Sequence, residues 1–156
     1  MHPFTELSML RDLWTLTGPW ISYPTMWPMV HPCTNTTVSA SPLVFCHCGF
    51  ATGFYMSSIG MKGDIGQVVS ILSNFIALAT VQMSHNSLTG TIPDVFANST
   101  SPFLHLTYID LSANQLTGPI PNSLSASPLT YLNLSNNALS ALPSWGPFLP
   151  VSLVHR

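Results

Sequence analysis

One stretch of this chain repeats itself, and repetition at a fixed period constrains a fold more than any local propensity. Around Asn114 the residues run Leu106, Ile109, Leu111, Asn114, Leu116, Gly118, Ile120, Pro121, and around Asn86 they run Leu78, Val81, Met83, Asn86, Leu88, Gly90, Ile92, Pro93. A third copy passes through Leu129, Leu132, Leu134, Asn137 and Leu139 to Leu142 and Pro143, and has lost the Gly. A degenerate copy lies upstream at Ala51, Phe54, Met56, Met61, Gly63 and Ile65, with Ile59 where Asn stands elsewhere. The equivalent residues Met61, Leu88, Leu116 and Leu139 are 27, 28 and 23 positions apart. A stub at Phe148, Val151 and Leu153 continues the strand pattern.

Inside each copy the second half alternates. Ile109 and Leu111 are set inward, while Tyr108, Asp110 and Ser112 are set outward, as the two-residue period of a strand requires. One such unit cannot bury its apolar side alone, so neighbouring units must stack and share a core. The stacked strands form a parallel sheet along one side of a coil. The Asn column (Asn86, Asn114, Asn137) falls where the chain leaves the strand, so its amides are placed to satisfy backbone groups left unpaired by the turn. Gly90 and Gly118 permit a tight bend, and Pro93 and Pro121 end the short extended segment that follows. After Gly66, residues Val69, Leu72, Phe75, Leu78 and Val81 recur every three, which suits a 3₁₀-like or short helical return path. The segment from Pro93 to Leu106 is longer and reads as a loop on the convex side.

This pattern resembles leucine-rich repeats, and the Leu-Thr-Gly-x-Ile-Pro endings at 88–93 and 116–121 resemble the plant-type class used by receptor-kinase ectodomains and polygalacturonase inhibitors. The resemblance covers about residues 45–143 and implies an α/β solenoid: a short curved coil with a parallel sheet on its concave face and an N-terminal helical cap. We therefore expect a cap over residues 1–50, about four repeats over 51–147, and a partial repeat or truncated tail over 148–156. The resemblance also implies a cap made of a short helix, Trp residues and a Cys pair before the first strand. Residues Glu6 to Trp14 have helical spacing, with Leu7, Leu10, Leu13 and Trp14 on one face. Of the three cysteines, Cys33 with Cys46 is the first choice for the pair and Cys33 with Cys48 the alternative. A zinc set of His31, Cys33, Cys46 and Cys48 is disfavoured, because Cys-x-Cys is tighter than the usual two-residue gap.

Only 5% of residues are charged and the net charge is −2, so the basic footprint that nucleic acid demands is missing. The apolar run Ile65–Met83 carries Gln67, Ser70, Ser73, Asn74, Thr80 and Gln82, which disfavours a membrane span; the repeat register accounts for its apolar positions better. No nucleophile elbow, phosphate loop, zincin helix or dinucleotide fingerprint occurs, and of the five acids only Asp110 is set on the predicted concave face. No cofactor, metal or catalytic residue is expected. The family usually binds through the concave face, so the expected ligand-binding residues are Tyr55, Gln82, His85, Tyr108, Asp110, Tyr131 and Asn133. Tyr108 and Tyr131 occupy equivalent positions and should lie side by side, ~5 Å apart.

The expected role is an extracellular recognition module for a protein, peptide or cell-wall glycan. The alternative is a structural surface or wall spacer without a defined ligand. Sequons at Asn35, Asn98 and Asn133 suit a secreted or cell-surface glycoprotein, with Asn98 the best glycan site and Asn133 placed where a glycan would obstruct binding. Residues 1–30 lack a basic start followed by an apolar run, so an exported form needs a leader not visible here, and Met1 need not be the true start. The tail Phe148–Arg156 lacks a closing cap, so we expect a fragment, a truncated product or an end-to-end dimer, with membrane attachment only through parts absent from this chain.

Overall fold

The computed structural model describes residues 44–96, 101–141 and 153–154. The described residues fold as a stack of coils with two sheets. The first holds β1 (Val44–His47), β2 (Phe50–Tyr55), β4 (Thr80–Gln82), β6 (Tyr108–Asp110), β8 (Tyr131–Asn133) and β10 (Leu153–Val154), in that spatial order. All its pairings are parallel except β1 with β2, which form an antiparallel hairpin at the N-terminal edge. The second sheet is parallel and holds β3 (Lys62–Asp64), β5 (Ser87–Thr91), β7 (Gln115–Pro119) and β9 (Ala138–Ala141).

That second sheet was not anticipated. The Leu-Thr-Gly segments, read from sequence as bends, are extended and hydrogen-bonded to the next coil. In the first sheet sequence-equivalent residues pair, as Val81 does with Ile109 and Ile109 with Leu132. In the second, Gly90 pairs with Leu116 and Gly63 with Leu88. The register there is staggered by two residues, which preserves the inward side because the side-chain period is also two.

The core lies between the sheets and the back of the coil. Phe54, Met61, Val68, Met83, Leu88, Leu116 and Leu132 are fully or almost fully buried, and Phe54 meets Phe75 edge-on with centroids 5.0 Å apart. The return paths differ between coils. In the first, α1 (Ile65–Leu72) buries Ile65, Val68, Val69 and Leu72, an α-helical stripe rather than a continuous three-residue path. Asp64 caps it, its Oδ1 accepting from the backbone N–H of Gly66 at 2.8 Å and of Gln67 at 3.3 Å. A 3₁₀ turn over Asn122–Ala126 takes the same place two coils on, burying only Leu124. No helix among the described residues is long and apolar enough to cross a membrane.

The Asn column ties each coil to the one before. Asn86 Nδ2 donates to the carbonyls of Met56 and Met83, and its Oδ1 accepts from the backbone N–H of Ile59 and Met61. Asn114 accepts from Leu88 N–H at 3.0 Å and donates to Met83 O at 2.9 Å. Asn137 accepts from Leu116 N–H at 3.0 Å and donates to Leu111 O at 3.0 Å. The residue just before each of these positions is left-handed: Ser58, His85, Ala113 and Asn136 have φ of 58°, 55°, 52° and 55°. Such a conformation costs a non-glycine residue about 1–2 kcal/mol. It is held because the N–H of Ser58, His85 and Ala113 each donates to a serine carbonyl of the next coil at 2.9 Å.

The expected cap helix near residues 6–14 lies outside the described residues, as does the tail beyond Ala141 apart from β10. Of the residues expected to form the cap, 44–50 are described, and they hold β1 and the turn into β2, whose first residue is Phe50.

Candidate functional site

Three rows of outward side chains cross the first sheet. Register places Gly53, Thr80, Tyr108 and Tyr131 in one row and Tyr55, Gln82, Asp110 and Asn133 in the next. Beyond them come Ser57, Ser84, Ser112 and Ser135. The inward neighbours Phe54, Val81, Ile109 and Leu132 are buried, which fixes these rows outward.

Tyr108 and Tyr131 stack face to face, with centroids 4.2 Å apart and planes 4° from parallel. Burial pushes the Tyr108 phenol up to about 12, helped by its hydrogen bond to Tyr131 and by the nearby Tyr131, Asp110 and Tyr55 groups. An unperturbed tyrosine titrates near ~10. A phenol raised in the folded state adds stability that is complete below ~10 and is lost as the pH climbs through about 12. Phenolate absorbance that develops near pH 12 should therefore be present in the parent and missing from Tyr108→Phe. Identical high-pH absorbance in parent and variant would contradict the packing around Tyr108.

Tyr55 belongs by sequence to the second row, but its ring lies over Gly53 in the first. A Cβ built on Gly53 would stand 2.8 Å from Tyr55 Cε2, so the ring occupies the space a side chain would fill. Phe45 of β1 packs on Tyr55, with centroids 4.8 Å apart at 59°, and is 52% exposed. The first row thus reads Phe45, Tyr55, Thr80, Tyr108, Tyr131 across the sheet. Phe45 was missed from sequence; the Gly inside a strand was the signal that something approaches closely.

The polar side chains fall into two groups. Asp110 and Asn133 are pinned alike: Ser112 donates to Asp110 Oδ1 from Oγ at 2.6 Å and from its N–H at 3.0 Å, and Ser135 donates to Asn133 Oδ1 at 2.8 and 3.2 Å. Ser84 Oγ donates to Ser57 Oγ at 2.9 Å. By contrast, the Thr80 hydroxyl and the Gln82 amide have no hydrogen-bond partner among the described residues. His85, offered from sequence as a ligand-binding residue, lies past the strand end on the left-handed turn, exposed and away from the tyrosine row.

Asn86, Asn114 and Asn137 are structural and do not face the rows. Cys46 is disulfide-bonded and Cys48 carries a free, exposed thiol. Cys33 and His31 lie outside the described residues, as do the sequons at Asn35 and Asn98. A disulfide-bonded Cys46 cannot serve as a thiolate ligand, which removes one member of the zinc set. Among the described residues no three His, Cys, Asp or Glu side chains converge as a metal site.

A sequence profile of the Leucine Rich Repeat family matches residues 77–99, 105–127 and 128–149. Among solved structures, a chain of the BIR3–SERK2 complex from Arabidopsis thaliana is 25% identical, with a TM-score of 0.67 over 86% of this chain and 70% of that one. The BIR2 ectodomain from Arabidopsis thaliana is 21% identical, with a TM-score of 0.64 over 87% of this chain and 82% of that one. The Arabidopsis receptor kinase HAESA, solved in complex with the peptide hormone IDA and the co-receptor SERK1, is 22% identical with a TM-score of 0.56; the match covers 86% of this chain and 26% of that one. No curated protein sequence matches the chain.

Proposed function

Because this chain is a leucine-rich-repeat protein of the plant type, we propose that it is an extracellular recognition module that binds a protein or peptide through the outward rows of its first sheet. One observation carries the reading. The row Phe45, Tyr55, Tyr108, Tyr131 gathers partly exposed aromatic rings on a surface whose next row offers amide and carboxylate groups. Aromatic side chains are enriched at the cores of interfaces, where they bury large area at small entropic cost. A disulfide-bonded Cys46 suits an oxidising compartment outside the cytosol. The similar chains in the BIR3–SERK2 and HAESA structures are themselves seen in complexes with a receptor partner or a peptide.

In this reading the chain recognises and does not catalyse. On the described face Asp110 is the single carboxylate, with no second acid or general base beside it to assemble a reaction. The test is binding of a panel of secreted peptides, receptor ectodomains and wall oligosaccharides to the whole chain. Tyr108→Ala and Tyr131→Ala should each weaken the ligand found by ~10–100-fold, the range of an aromatic anchor. A panel with no ligand, or a ligand indifferent to both variants, would instead favour a spacer whose serine rows merely satisfy one another.

A further inference from the structure

The aromatic row has one interruption. Thr80 stands between the Tyr55 ring on the β2 side and Tyr108 on the β6 side, so aromatic rings flank it about two strand spacings apart, ~9–10 Å. The floor is a short side chain whose hydroxyl has no partner among the described residues, with the equally unpartnered Gln82 amide beside it. Asp110 borders the gap on the second row. Its Oδ1 is held by Ser112, which fixes the carboxylate and leaves Oδ2 without a partner among the described residues. Asp110 is also the single charged side chain in these rows.

We propose that this gap over Thr80 is a subsite for the guanidinium group of an arginine side chain presented by a peptide. The inference rests on the recognition reading above and names the chemistry of one contact. Tyr131 covers one face of the Tyr108 ring, so the face left open is the one turned toward Thr80. The stacked pair presents ring edges rather than a flat platform outward. A sugar ring stacks on an upturned platform; a planar cation lies flat against an upright ring face, here the open face of Tyr108. Guanidinium stacks on aromatic faces and offers several fixed donors to a carboxylate, whereas the lysine ammonium is a compact, strongly hydrated point charge. The Thr80 hydroxyl and Gln82 carbonyl would accept the donors that Asp110 does not.

The test uses the full chain and a blocked Gly-Gly-Arg-Gly-Gly peptide, followed by amide chemical shifts. The peptide should move Thr80, Gln82 and Asp110, and its citrulline counterpart, equal in shape but uncharged, should bind about tenfold more weakly. Asp110→Asn should weaken the arginine peptide by about fivefold or more. Thr80→Tyr, which completes the aromatic row and fills the gap, should abolish binding while leaving shifts elsewhere unchanged. Equal binding of the citrulline peptide, or retained binding by Asp110→Asn, overturns the proposal; so does a Thr80→Tyr protein that keeps its affinity. Cellohexaose is the competing probe: if it binds and Thr80→Tyr strengthens it, the row is a sugar platform. A ligand that needs Tyr131 yet ignores Thr80→Tyr and Asp110→Asn would sink the subsite and leave the recognition reading standing. A sheet that binds nothing sinks both.

Discussion

Asn114→Ala is expected to lower the stability of the chain by about 3 kcal/mol, at the upper end for loss of a buried polar partner. The side chain is itself buried and serves four backbone groups: it accepts from Leu88 N–H and donates to the carbonyls of Met83, Leu111 and Ser112, at 3.0, 2.9, 3.1 and 3.2 Å. Truncation leaves the N–H of Leu88, a fully buried residue, without its acceptor. For a chain of this size the melting temperature should fall by roughly 6–12 °C. Asn114→Asp keeps the acceptor but turns a carboxylate oxygen toward three carbonyls, so it should be no better tolerated. Asn137→Ala should cost less, because that residue is only partly buried and water can replace part of the set. A melting temperature within ~2 °C of the parent for Asn114→Ala would mean that the column does not hold the coils together.

Gly90→Ala should cost about 2–4 kcal/mol, and most of the excess over a simple backbone effect should come from one neighbour. Gly90 has φ +88°, where a side chain costs about 1–2 kcal/mol. Its Cβ would also press on the Asp64 carboxylate, standing 3.0 Å from Cγ and closer still to Oδ2. Asp64 cannot yield freely, because the same carboxylate caps α1 through Gly66 and Gln67, a contribution of about 1 kcal/mol. Asp64→Ala removes both the cap and the obstacle. In that background Gly90→Ala should cost only the backbone strain, giving a coupling of about 1 kcal/mol in a double-mutant cycle read by denaturant melts. Strict additivity of the two substitutions would show that Asp64 moves aside at no cost.

What could be read from sequence was whatever the period itself encodes. Val81, Met83, Leu88, Ile109, Leu111 and Leu116 recur at matched offsets, and every one is buried. The outward set Tyr108, Asp110, Tyr131, Asn133 followed from strand alternation and stands in two adjacent rows. The parts that escaped depend on partners that no single copy displays. The left-handed residues Ser58, His85, Ala113 and Asn136 share no chemistry, and none is Gly; for the first three a carbonyl of the next coil holds the conformation. His85, expected among the binding residues, takes its backbone conformation from such a contact. The Leu-Thr-Gly segments look like bends because of their Gly, yet parallel pairing between coils keeps them extended. In the first coil the helical stripe Ile65, Val68, Val69, Leu72 was overshadowed by the three-residue spacing that begins at Val69. Tyr55 reaches Gly53 by leaning, and a lean is a rotamer, not a position.

The unequal registers of the two sheets reach beyond the coil that contains them. Each step along the first sheet joins equivalent residues, while the first two steps along the second each slip by two in the same sense, or ~7 Å of strand. Neighbouring coils sheared in this way cannot lie directly above one another like coins; each is swivelled a little, like treads of a spiral stair. A rigid rod laid along the tyrosines would part from the surface after a few treads. Any ligand long enough to touch every coil has to wind as it goes.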